Sequence, residues 1–202
     1  KILKFSEFAL AEPIEDVWCI DVSADIKLSL ERNSDLKVGE TYYSLQWPVL
    51  DMEKYDPSLF GGHFKEMRNA KNKFYREHDV EILETNKIEK QYLHEIVERW
   101  KVSILSRKDP VDVYELKYHN AIDHNFHGFL TARVLIVNNK PVGLNAGYEV
   151  SNYPGRFAGV IGLHDYSLKD LGIILWLEDL EWIKNSGYKE LDMKGSEDDG
   201  GL

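Results

Sequence analysis

A single cysteine, Cys19, in 202 residues excludes an internal disulfide and any metal site built from several thiolates. A reducing, cytoplasmic setting is the default expectation for such a chain. Long apolar runs are missing too: the longest, Leu171 to Leu177, is far short of the roughly 20 residues that cross a bilayer. No basic-then-apolar leader opens the sequence. Prolines number only six, and no low-complexity tract or long linker is visible. Positive charge is in deficit, with 25 Lys and Arg against 35 Asp and Glu, a net −10. Such a polyanion does not draw nucleic acid by its mean field, so any phosphate partner needs a local basic face. What remains, 43% hydrophobic and 30% charged residues, is ordinary globular composition with length enough for a sizeable core. The abrupt acidic, glycine-rich end at Leu202 leads us to expect a longer protein beyond it.

The β-formers Val17, Trp18, Ile20 and Val22 predict a strand over 15–23. Alternation of Ile26, Leu28 and Leu30 with Lys27, Ser29 and Glu31 predicts a second over 25–32, and aromatic-rich 40–49 a third. Asp56-Pro57 reads as a helix start. Phe60, Phe64, Met67, Ala70 and Phe74 then recur at helical spacing, predicting a helix over 59–78 with those residues inward. A short strand follows at 80–83. Helices are expected over 88–105 and from Asp109-Pro110 to about Phe126. Strands at 129–137 and 142–150 flank Asn138-Asn139-Lys140-Pro141, a hairpin signal. A strand at 157–165, a helix at 171–186 stopped by Gly187, and a strand at 188–193 complete the chain.

The second half thus reads α-α-β-β-β-α-β, and the first half, lacking its start, β-β-β-α-β. This pattern predicts an α/β (α+β) protein of two like units, 1–86 and 87–202, each a mixed, mainly antiparallel sheet flanked by helices. No residue identity links the halves.

"LGIILWLEDLEWIKNSGYKELDMKG", from Leu171, resembles the helix and last strand of Fem-type aminoacyl transferases. "RNAKNKF", Arg68 to Phe74, and "EDDGGL", Glu197 to Leu202, are similar to the C-terminal domain of phosphatidylglycerol lysyltransferases. The resemblance covers most of the chain from about Leu59 and implies tandem units of the GNAT (N-acetyltransferase) fold. It implies acyl or aminoacyl transfer from acyl-CoA or aminoacyl-tRNA to the amine or hydroxyl of a small-molecule, peptide or lipid acceptor. Acetyl-CoA-binding members carry Arg/Gln-x-x-Gly-x-Gly/Ala before this helix. Lys169 and Gly172 fit that pattern and Ile174 does not, which leans away from acetyl-CoA. A non-catalytic ligand- or nucleic-acid-binding module on the same fold is the rival reading.

Four groups are candidate site residues. The start of the Leu171 helix offers free N–H groups to an anion, with Lys169, Leu171, Gly172 and Ile173 as its donor-binding residues. Gly172 there reads as access for a phosphate, and the spot as an open cavity. Arg68, Asn69, Asn72 and Lys73 form a basic, amide-rich stripe suited to tRNA, nucleotide or lipid phosphate, although a solvated helix face looks the same. His164 and Asp165 end a strand before the key helix and are candidate bases for deprotonating an acceptor, with Glu149 as backup. Glu197 and Asp199 match acidic positions of the family turn and suit a substrate amino group. His119, His124 and His127 with Glu115 and Asp123 complete no known metal motif, so no metal is expected.

Overall fold

The computed structural model describes residues 47–107 and 113–193, together with 22–32, 38–40 and four isolated positions before them. It divides into one compact unit of residues 1–46 with 196–202 and another of 47–195. In the first, helix α1 (Ala24–Glu31) stands where the alternation predicted a strand. Seven alternating residues are too short a run to outweigh Ala, Lys, Leu and Glu, all good helix formers. Lys27 and Glu31 add an i,i+4 pair at 3.9 Å. The strand expected over 15–23 lies almost wholly outside the described residues, as does most of that over 40–49.

The second unit runs β1 (Val49–Asp51), α2 (Lys65–Glu77), β2 (Val80–Glu84), α3 (Lys90–Leu105), α4 (Leu116–Asp123), β3 (Thr131–Val137), β4 (Lys140–Glu149), β5 (Arg156–His164), α5 (Leu171–Asn185) and β6 (Glu190–Asp192). From α3 onward this is the α-α-β-β-β-α-β order expected from the sequence. Among the described residues, one six-stranded sheet holds every strand, in the order β1-β6-β5-β4-β3-β2. All neighbours are antiparallel except β5 and β6, which the α5 crossover makes parallel. Two tandem units are therefore not present. β1 and β2, assigned by pattern to a first unit, take opposite edges of the sheet formed by the second.

Local chemistry explains the elements that position the site. Asn138 and Asn139 both have positive φ, 50° and 63°, which suits the two-residue turn joining β3 to β4. Leu93, Ile96, Val97 and Ile104 give α3 an apolar stripe. With Ile122 of α4 it covers one sheet face through Val134, Leu144, Ile161 and Leu163. Leu171, Ile174 and Leu175 of α5, with Phe74 of α2, cover the other through Leu135, Val137 and Val142. Gly187, at φ +84°, ends α5: its N–H donates to Lys184 O at 3.0 Å and Tyr188 N–H to Ile183 O at 3.3 Å.

The helix predicted from Leu59 begins only at Lys65. Leu59 and Gly61 have positive φ, and Phe60 and Phe64 are exposed rather than inward. Arg68 explains the turn: its Nη1 donates to Leu59 O, and to Gly61 O at 2.8 Å. The second predicted helix is shorter as well, eight residues of α4, and its expected start at Asp109-Pro110 lies outside the described residues. Among the described residues no helix is long and apolar enough to cross a membrane.

A charged pair sits inside this apolar frame. Arg133 Nη2 of β3 donates to Asp179 Oδ1 of α5 at 2.6 Å, with both side chains buried. Trp182 lies against the guanidinium at 4.7 Å. Asn145 Nδ2 of β4 donates to Leu175 O at 3.1 Å. Burial pushes the Asp179 carboxyl above its ordinary value, against the pull of Arg133 and Asn145. Arg133→Met alone is expected to cost about 3–5 kcal/mol, because it strands a buried carboxylate. Arg133→Met with Asp179→Leu should recover most of that loss in chemical denaturation.

Candidate functional site

A bulge interrupts the pairing of β4 and β5. β4 and β5 pair from Gly143–His164 to Glu149–Phe157, and their register slips by one between Ala146 and Gly147. Val160 is the extra residue, and both it and Ile161 pack under α3. Parallel pairing of β5 with β6 covers Arg156 to Ala158 and stops there, two residues before Val160. From Gly159 to His164 the β6-facing edge of β5 has no strand partner among the described residues. Gly159 and Gly162 line this stretch without side chains, and Gly162 is exposed.

The start of α5 lies at the far end of that edge. Asp170, at φ 64°, precedes the helix and makes no side-chain cap. Leu171 N–H reaches Leu168 O at 3.4 Å, and Ile174 N–H donates to Asp170 O at 3.1 Å. Among the described residues the N–H groups of Gly172 and Ile173 have no acceptor, so two donors at a helix N-terminus remain for a ligand. Leu171 is wholly buried, and its side chain belongs to the core. Lys169 and Ile173 are exposed.

Gly172 has a different reason from the one expected. A Cβ added there would lie 2.9 Å from His164 Nε2 and 3.0 Å from Cε1. The glycine makes room for an imidazole, and the space above it is filled rather than open. His164 in turn stacks on Tyr166 at 4.1 Å, and Arg107 covers Tyr166 at 4.7 Å. Burial holds the His164 imidazole below its ordinary value, helped by the Arg107 charge and opposed by Asp165. The ring is thus neutral near pH 7, with a lone pair for accepting a proton.

Asp165, paired with His164 in the sequence reading, is an anchor. Its Oδ1 accepts from the Ser167 N–H at 3.0 Å and hydroxyl at 2.6 Å. Its Oδ2 faces Arg99 Nε at 3.2 Å, without hydrogen-bond alignment, and Lys140 Nζ at 3.8 Å. Burial raises the carboxyl, but Ser167, Arg99 and Lys140 outweigh it and hold the group below its ordinary value. Arg99 also donates to Pro141 O at 2.5 Å, so the cluster ties α3, the hairpin and the loop before α5 together. A carboxylate held this way is a poor base.

Glu149 and Arg68 are held elsewhere. Glu149 pairs with Phe157, seven residues along β5 from His164, about 23 Å at strand rise. It accepts from Gly155 N–H at 3.1 Å instead. Arg68 is spent on its turn, and its neighbour Met67 packs with Leu177, Leu180 and Ile183, well along α5 from Gly172. Asn69, Asn72 and Lys73 are exposed, and Lys73 approaches Glu77 at 4.0 Å, as a solvated face does. Glu197 and Asp199 lie outside the described residues. His124 Nδ1 meets Asn120 O at 2.8 Å. Among the described residues no group of three or more His, Cys, Asp and Glu could hold a metal ion. Sequence reasoning missed Tyr166, Arg107 and Arg99, whose only signal is proximity in space.

The fold has solved counterparts. It superposes on the C-terminal domain of a putative lysylphosphatidylglycerol synthetase from Agrobacterium fabrum, with TM-score 0.54 and 12% identity, over 75% of this chain and 46% of that one. L-PGS from Bacillus licheniformis matches at TM-score 0.54 and 16% identity, over 78% and 49%. A conserved protein of unknown function from Bacteroides thetaiotaomicron matches at TM-score 0.54 and 18% identity, over 75% and 50%. The chain spans about half the length of these proteins, and at such identity the likeness shows the fold alone. No family model matches the sequence, and no curated protein does.

Two measurements check this geometry. Gly172→Ala should cost about 1–3 kcal/mol by forcing the imidazole aside. In a His164→Ala background the same change should instead gain about 0.4–1 kcal/mol, and denaturation of the four proteins reads the coupling. The second is a pH profile. An unfolded histidine titrates near about 6.5 and His164 below that, so the unfolded chain takes up the proton first. Stability should rise with pH through the window just under about 6.5, fall on acidification, and flatten there in His164→Gln.

Proposed function

We propose that the 47–195 unit is a GNAT-type transfer domain. It moves an acyl or aminoacyl group from an activated donor, a CoA thioester or aminoacyl-tRNA, to an amine or hydroxyl. The observation that supports this reading is the β5 edge from Gly159 to His164, which no described strand covers, beside two N–H groups at the start of α5 without a described acceptor. A donor laid along 159–163 would complete the strand's hydrogen bonds, and its phosphate would meet the N–H groups of Gly172 and Ile173. His164, neutral and at the junction of both, would take the proton from the attacking nitrogen or oxygen. Positioning by backbone donors, which need not reorganise, would supply much of the rate. The name of one fold neighbour, lysylphosphatidylglycerol synthetase, favours a lipid among small-molecule, peptide and lipid acceptors.

One observation favours a second reading, a binding module without chemistry. The His164 ring fills the space over Gly172, where a donor phosphate would approach most closely.

Thermal shift and calorimetry with CoA, acetyl-CoA and deacylated tRNA separate the two. A transferase should melt higher with its donor, by about 2.7 kcal/mol of added stability at a hundredfold excess over Kd. His164→Ala should then keep binding while losing about 10²–10⁴-fold in turnover. Binding without turnover in the parent protein would favour the module. No response to any of the three would remove the donor site assigned here.

A further inference from the structure

Outside this site, α3 and α4 bring together two histidines that lie 25 residues apart in sequence. His94 Nδ1 and His119 Nδ1 are 2.7 Å apart. The ring centroids are 4.9 Å apart and the planes 27° from parallel, so the rings meet edge to edge, nitrogen toward nitrogen. Each ring is braced from behind. His94 Nε2 lies 3.1 Å from Asp123 Oδ1, and His119 Nε2 lies 3.0 Å from Glu98 Oε1. A carboxylate accepts only, so each Nε2 carries the proton and donates it. That leaves the two Nδ1 atoms facing each other at hydrogen-bond distance, with one proton between them. A divalent cation that displaces this proton meets both nitrogens.

We propose that this pair is a binding site for an imidazole-seeking divalent transition ion of the Zn²⁺, Ni²⁺ or Cu²⁺ class, held by His94 Nδ1 and His119 Nδ1. Imidazole ligands suit these ions and not Mg²⁺ or Ca²⁺. Carboxylates on the far nitrogens, as Glu98 and Asp123 are here, are the outer partners that orient metal-bound histidines and raise their basicity. The spacing repeats on both helices, a histidine with a carboxylate four residues on: His94 and Glu98, then His119 and Asp123. Zn–N bonds of about 2.0–2.1 Å at a tetrahedral angle need the nitrogens about 3.3 Å apart, so the rings must part by about 0.6 Å from their 2.7 Å separation. Both rings are partly exposed, 30% and 22%, which leaves room for that movement and for water in the remaining positions. The neighbouring cations are occupied: Lys90 Nζ donates to Asp123 O at 2.7 Å, and Lys101 pairs with Glu115 at 2.5 Å. The bound ion would staple α3 to α4.

The test is titration of ZnCl₂ and NiCl₂ into the whole chain at pH 7.5 in a non-coordinating buffer, by calorimetry and thermal shift. One equivalent should bind, raise the melting temperature and release a proton, seen as an enthalpy that changes with the buffer. MgCl₂ should do none of these. His94→Ala and His119→Ala should each abolish that equivalent, and Glu98→Gln with Asp123→Asn should weaken it about 10- to 100-fold. His94→Gln replaces His94→Ala should the latter fail to fold, as judged by circular dichroism. Binding that survives in both histidine variants overturns the proposal, because it belongs to Cys19 or other histidines. Absence of metal binding in the parent chain overturns it too, and leaves only a proton shared between the rings.

Discussion

Everything at the candidate site depends on where α5 lies, and α5 is fixed by one buried ion pair. Arg133 and Asp179 are both removed from water, at a desolvation cost that apolar residues would avoid. What the pair gives in return is register. A helix that meets a sheet through leucine and isoleucine alone can slide with little penalty, whereas a charge 2.6 Å from its partner cannot. Asn145, donating to Leu175 O one turn earlier, adds a second fixed point from the adjacent strand. Two polar contacts to two strands set both the translation and the rotation of α5. Its first turn consequently ends beside His164 and the open edge of β5.

Strong local chemistry made much of the fold legible in the sequence. The Asn138-Asn139 turn needs positive φ at both positions, and asparagine tolerates it. Gly187 marks the end of α5, and the apolar stripe of α3 marks its buried face. Failures came where a pattern was shorter than the structure it suggested. Ile26, Leu28 and Leu30 alternate over too few residues to specify a strand. Phe60 and Phe64 have helical spacing, but Arg68 draws the carbonyls of Leu59 and Gly61 into a turn that ends any such helix. The duplication failed for a topological reason. Element order does not say which sheet a strand joins, and β1 and β2 close the two edges of one sheet.

At the site, residue type was legible and residue role was not. Gly172 stood out as a glycine at a helix entrance, but its cause is the ring of His164, eight residues earlier, packed where a side chain would be. Asp165 and His164 are adjacent, and their environments drive them to opposite tasks. Ser167, Arg99 and Lys140 lock the carboxylate in its charged form, and burial beside Arg107 keeps the imidazole neutral. In the Arg68 stripe, Arg68 itself is drawn to the carbonyls of Leu59 and Gly61. His119 was noted with sequence neighbours, whereas its partner, His94, belongs to another helix.

The bulge in β5 follows from counting. β4 and β5 pair over the length of β5, and one surplus residue, Val160, must go somewhere. It packs toward α3, beside Ile161, and a bulge of this kind bends its strand locally. β6 pairs on its other side with β1 through Asp51–Glu190 and Val49–Asp192. Glycines at 159 and 162 then keep the space clear of side chains on the α5 face, where Asp179 Oδ2 and Asn145 Oδ1 would be the nearest atoms to a Cβ. A strand edge in that position has donors and acceptors that require partners. An extended ligand carrying amide groups meets that requirement more fully than water alone. The proposed donor site therefore depends on the bulge in β5 and not on the glycine at the helix entrance.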